Sequence, residues 1–113
     1  MDKPLIVVNF KTYETAMGDS ALTLAKAMDN FTDRDFRMIA VVSAFDLSTI
    51  SNSVSSVEVW SQHLDPVGKG SHTGWLEPDL ALHHGAVGTI INHAEHKAVS
   101  YTHLTLPTSR SVV

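Results

Sequence analysis

An apolar run that stops abruptly at polar residues constrains this chain most. Gly85-Ala-Val-Gly-Thr-Ile-Ile-Asn-His-Ala-Glu95 reads as a buried strand, Val87 to Ile91, that ends in a histidine and a glutamate. Leu5-Ile-Val-Val-Asn-Phe-Lys11 has the same form. Period-two alternation along it puts Val7, Asn9 and Lys11 on one face and Ile6, Val8 and Phe10 on the other. Polar groups at the C-terminal ends of two apolar strands are the site layout of parallel α/β folds, in which chemistry gathers at that edge of the sheet.

The segments between these runs alternate accordingly. Gly18-Asp19 caps a helix expected over Ser20 to Asn30, where Ala21, Leu24, Ala25 and Met28 fall at i, i+3, i+4 and i+7 and form one apolar stripe. Met38-Ile-Ala-Val-Val42 is apolar without alternation, as a parallel strand covered on both faces should be, and belongs beside the first strand. Asp46 is placed to cap a short helix carrying Leu47, Ile50 and Val54. A polar connector, 51–56, leads to a third strand, Val57 to Gln62. The longest loop, Asp65 to Gly74, follows. Glu77-Pro78 then opens a helix through His84, closed by Gly85. The order β-α-β-α-β-α-β predicts an α/β fold of about four parallel strands joined by right-handed crossovers.

Four motifs occur in a fixed order: Asn9-Phe10-Lys11, Gln62-His63, Gly70-Ser-His-Thr-Gly74 and Asn92-His93-Ala-Glu95. Together they resemble the N-terminal half of the triosephosphate isomerase family, in its compact archaeal form, from about Pro4 to Glu95. The resemblance implies a (β/α)8 TIM barrel. A complete barrel needs roughly 200 residues or more, so 113 residues are expected to be a truncated half-barrel, residues 1–97. From Val99 the chain is rich in hydroxyl residues and has no helical stripe. The segment 98–113 is set aside as a non-native tail resembling a translated adapter, a flexible end being the other reading.

The family's reaction interconverts dihydroxyacetone phosphate and glyceraldehyde 3-phosphate, by removing a proton beside a carbonyl and stabilising the enediolate. By resemblance, Lys11 is the fixed cation for the substrate's phosphate and oxyanion, and Asn9 orients it. The resemblance likewise makes His93 the electrophile that polarises the carbonyl as a neutral imidazole and shuttles protons between the two oxygens. Glu95 matches a glutamate that pairs near the lysine, where a buried pair would keep both groups charged. It reads equally as the first-turn acid of a following helix. Ala94 stands where the family usually has serine, which removes a hydroxyl from the local hydrogen bonding. The Gly70 to Gly74 loop resembles the arm by which one subunit reaches its neighbour, with Thr73 at the tip bonding near the partner subunit's Asn9. Gln62 reads as an interface residue or as an ordinary exposed one. Nothing after Glu95 corresponds to the family's catalytic glutamate base, its lid or its phosphate-binding turns, so the chain by itself is expected to be inactive.

The implied partners are a triose phosphate substrate and further copies in a homo-oligomer, a dimer or tetramer. No cofactor is expected. Seven histidines, at 63, 72, 83, 84, 93, 96 and 103, lack the spacing of a metal-ligand set. A net charge of −4 with eight scattered Lys and Arg residues argues against nucleic acid. The absence of cysteine suits a reducing cytoplasm. No run approaches the ~18 apolar residues of a membrane span. A rival of another class is a non-catalytic half-barrel module that associates through open strand edges or binds a small phosphate.

Overall fold

A computed structural model of the chain describes residues 4–31, 36–91 and 93–95. The expected tail, 98–113, and Asn92 of the fourth motif lie outside the described residues.

Three strands, β1 (Leu5–Asn9), β2 (Arg37–Val42) and β3 (Glu58–Ser61), form a parallel sheet in the order β1-β2-β3. Their β-branched residues suit a pleated surface covered on both sides. In register, Val7 lies opposite Ile39 and Val41 opposite Trp60. At the N-terminal edge, Arg37 grips Glu58 by two parallel bonds of 2.6 and 2.7 Å. The guanidinium holds the Glu58 carboxyl below its usual range.

Helices α1 (Asp19–Phe31), α2 (Leu47–Ser51) and α3 (Pro78–His83) connect the strands. Residues of one sheet face, Phe10, Ala40, Val42 and Val59, share a core with Ala21, Ala25 and Met28 of α1 and Leu47 and Ile50 of α2. That is the stripe the i, i+3, i+4, i+7 spacing predicts, with Leu24 partly buried against it. On the opposite face Ile39, Val41 and Ile90 form a second, smaller cluster with Val7 and Trp60 packed against it. Since Ile39, Ala40, Val41 and Val42 are all buried, β2 is covered on both sides as its unbroken apolar run requires.

Four details differ from the sequence reading. The first strand stops at Asn9, and Lys11 leaves it in the left-handed region with φ 52°. A single 3-10 turn, Glu14–Ala16, precedes α1. Asp46 sits at the start of α2 but makes no side-chain cap. Its backbone is already helical there, at φ −98° and ψ −8°, whereas a side-chain cap needs an extended residue. Its carboxylate accepts instead from the Gly18 amide at 3.1 Å.

The fourth difference concerns 87–91, which runs beside β3 but pairs through one parallel bridge, Ser61 to Thr89. Backbone bonds join Val87 N to Val59 O and Ser61 N to Gly88 O, each at 3.0 Å. The Thr89 hydroxyl donates to the Ser61 carbonyl at 2.9 Å, an acceptor that a regular ladder gives to a backbone amide. Gly88 lies against the Trp60 indole so closely that a Cβ would be 2.5 Å from the ring.

The helix before this segment follows its sequence signals. The Glu77 carboxylate caps α3 by accepting from Asp79 N at 2.8 Å and Leu80 N at 3.1 Å, Pro78 stands in its first turn, and Gly85 follows at φ 101°.

Candidate active site

Every candidate polar group apart from Thr73 sits at the C-terminal edge of the sheet, because that is where β1, β3 and the 87–91 segment end. The Asn9 carboxamide folds forward and accepts from the Lys11 amide at 2.9 Å. From the end of β3, Gln62 Nε2 donates to the Lys11 carbonyl at 2.7 Å. These two bonds hold the backbone of Lys11 on both sides in a conformation that costs a non-glycine residue about 1–2 kcal/mol. Strain of this kind persists only where the surroundings over-determine it.

The Lys11 side chain reaches Glu95, with Nζ 3.3 Å from Oε2. Contrary to the expectation of a buried pair, both partners are open to solvent, with side chains 29% and 61% exposed. Hydrogen bonding and charge from Glu95, with a smaller effect from Tyr13, hold the Lys11 ammonium above the ordinary lysine value. The cation also lies over the Tyr13 ring, 5.7 Å from its centroid.

His93 is brought to the same edge by the 87–91 segment. Its Nδ1 accepts from the Glu95 amide at 3.1 Å. The Glu95 carboxylate is 3.8 Å from that nitrogen, beyond hydrogen-bond reach, so the amide decides the tautomer. A ring nitrogen that accepts carries no proton, and neutral imidazole then bears its proton on Nε2. The His93 side chain is only 14% exposed. The arrangement therefore offers one cation, at Lys11, and one imidazole N–H donor, at His93, both beside Glu95 at the end of a parallel sheet. Such groups stabilise an oxyanion without having to reorganise first.

The structure thus assembles Asn9, Lys11, Gln62, His93 and Glu95. It gives Gln62 a definite contact, the Lys11 carbonyl, that neither sequence reading of this residue contained. Thr73 stands exposed in the 66–75 loop, and no described hydrogen bond joins it to the cluster. Tyr13 and the backbone amide of Glu95 were missed by sequence reasoning. Nothing in the spacing marks either, although an aromatic residue two positions after a candidate lysine could have prompted the question for Tyr13.

Among the described residues no group of three or more His, Cys, Asp or Glu side chains could hold a metal ion, and no helix is long and apolar enough to cross a membrane. A cavity of about 910 Å³ opens between α2, α3 and 74–77. Gln62 and His63 line it, but Lys11 and His93 do not, so the converging polar groups mark the candidate site better than this hollow does.

Comparison with known proteins gives a consistent result. The profile of the family described as Triosephosphate isomerase matches residues 4–105. The triosephosphate isomerase of Archaeoglobus fulgidus is 39% identical over 94 residues, which make up 82% of this chain and 42% of that protein. That of Methanothermus fervidus is 38% identical over 96 residues, 84% of this chain and 43% of the other. That of Methanothermobacter thermautotrophicus is 39% identical over 95 residues, 83% and 41% respectively. The chain spans about two fifths of the length of these relatives.

Proposed function

The chain belongs to the triosephosphate isomerase family, and from that premise we propose that Asn9, Lys11, His93 and Glu95 form the fixed electrostatic half of a site that interconverts dihydroxyacetone phosphate and glyceraldehyde 3-phosphate. The observation that carries this reading is the hydrogen bond from the Glu95 amide to His93 Nδ1. With Nδ1 occupied by the Glu95 amide, Nε2–H is the donor left for a substrate oxygen. It polarises the carbonyl, which makes the neighbouring C–H more acidic, and stabilises the enediolate once that proton has left. The Lys11 ammonium neutralises the phosphate and the developing oxyanion, while Glu95 and the two backbone bonds to Lys11 fix where that charge sits.

The group that takes the carbon-bound proton is not in this cluster. Glu95 is tied to Lys11 and acts as a positioning residue, so a further carboxylate has to complete the site. We place that base in the part of the fold that the relatives have and this chain does not match. We further propose that Thr73 and the Gly70 to Gly74 loop serve contacts between copies in a homo-oligomer.

A coupled isomerase assay on the 113-residue chain should show no turnover. Grafting the C-terminal half of a relative after Glu95 should restore it. In that chimera Lys11→Met and His93→Gln should each lower kcat at least about 10²-fold, the scale of a lost charge-stabilising or acid–base group. Near-full turnover in Lys11→Met, or turnover by the chain alone that survives His93→Gln, would overturn the assignment.

A further inference from the structure

Lys11 Nζ has a second neighbour besides Glu95. It lies over the face of Tyr13, 5.7 Å from the ring centroid, inside the roughly 6 Å over which an aromatic quadrupole attracts a cation. Both ends of this contact are pinned. The Lys11 backbone is held by Asn9 and Gln62. Tyr13 is extended, at φ −67° and ψ 140°, and its carbonyl accepts from Ala16 N at 2.8 Å, closing the 3-10 turn that anchors Ala16 in the core. The ring is 58% exposed and adds little to the core.

We propose that Tyr13 is a positioning residue for the Lys11 ammonium, its ring closing one side of the cation while Glu95 closes another, so that the remaining direction is presented to an anionic oxygen of a phosphate. This rests on the proposed role of Lys11. A lysine is a flexible stem with a strongly hydrated point charge, and fixing that charge in advance lowers the ordering cost of anion binding. Glu95 alone could hold Nζ at many angles around the carboxylate. The ring selects among them without adding a negative charge that would repel the ligand.

The ammonium lies over the ring face, so phenylalanine should keep its placement and leucine should not, while the phenol group's own upward effect on Lys11 is lost in both variants. The test uses the 113-residue chain with ¹³C/¹⁵N-labelled lysine, in wild type, Tyr13→Phe and Tyr13→Leu. Two quantities are read: the shift of the Lys11 ε-protons and the response of that signal to added inorganic phosphate. Wild type and Tyr13→Phe should share an upfield, ring-shifted ε-proton signal and similar phosphate binding. Tyr13→Leu should lose the ring shift and bind phosphate about two- to five-fold more weakly. Its thermal melt should stay close to wild type, because the ring is largely outside the core.

If Tyr13→Leu leaves the ε-protons and the phosphate affinity unchanged, the proposal fails. It also fails if Tyr13→Phe behaves like Tyr13→Leu, since the hydroxyl would then be the operative group. If the ε-protons respond to Tyr13→Leu but the wild-type chain shows no phosphate response at Lys11, the placement by Tyr13 stands and the phosphate role of Lys11 falls.

Discussion

Lys11 concentrates the costs and contacts of this site in one residue. Its φ of 52° is a conformation glycine adopts freely and alanine does not. Two bonds to its backbone, from Asn9 and Gln62, keep it there, so the position trades backbone ease for the aim of its ammonium. Lys11→Gly should therefore be more stable than Lys11→Ala by about 1 kcal/mol, even though glycine loses more entropy on folding elsewhere. Urea unfolding of the two variants checks this. Equal midpoints would mean that the left-handed backbone carries no strain. Neither the strain nor its restraints could be read from Asn9-Phe10-Lys11 alone: alternation carried the strand on to Lys11, and the residue that holds its carbonyl is 51 positions away. What was legible is that an asparagine and a lysine stand together at the end of an apolar strand.

At the scale of elements, long-range clasps set where helices and connectors meet. The Asp29 carboxylate near the end of α1 accepts from the amides of Ser55, Ser56 and Val57 at 2.7 to 3.3 Å. Desolvation pushes its pKa upward, but these donors outweigh it and hold the group below its ordinary value of 3.8. A depressed carboxylate contributes stability that is fully present above the unfolded value and fades as the pH falls through the folded one. Asp29→Asn should cost on the order of 1 kcal/mol at neutral pH. That gap should narrow only as the pH drops below about 4, where wild type loses the same charge; a gap independent of pH would leave the carboxylate without this role. Gly88 is the other clasp. Gly88→Ala should lower stability by roughly 1–3 kcal/mol by driving a methyl into Trp60, whereas Gly68→Ala, with nothing within 4 Å, should leave the melt unchanged. The stripe of α1, the Glu77-Pro78 start of α3 and the apolar run of β2 were readable because local periodicity and capping decide them. The choice of Gly18 over a local cap by Asp46 was not, and neither was the single bridge of 87–91, since both depend on groups brought together only by folding.

For the whole molecule, the sheet's borders matter more than its middle. Among the described residues β1 has β2 on one side and no other strand, and its Leu5 and Ile6 are 46% and 42% exposed. At the other border Val87 is 61% exposed in the 87–91 segment, which pairs through one bridge. A parallel strand with apolar side chains and open backbone groups is a template for another chain, and a net charge of −4 spread over the surface is a weak deterrent in salt. The chain should therefore associate, with an apparent mass that rises with concentration on size-exclusion chromatography. Ile6→Lys, which puts a charge on the β1 edge at an exposed position, should shift the distribution toward monomer without lowering the melting temperature by more than a few degrees. Removing 98–113 should leave both the melt and the association unchanged. A sharp monomer peak at every concentration would show that the β1 edge does not drive association, and a truncation that unfolds the chain would show that the last sixteen residues belong to its core.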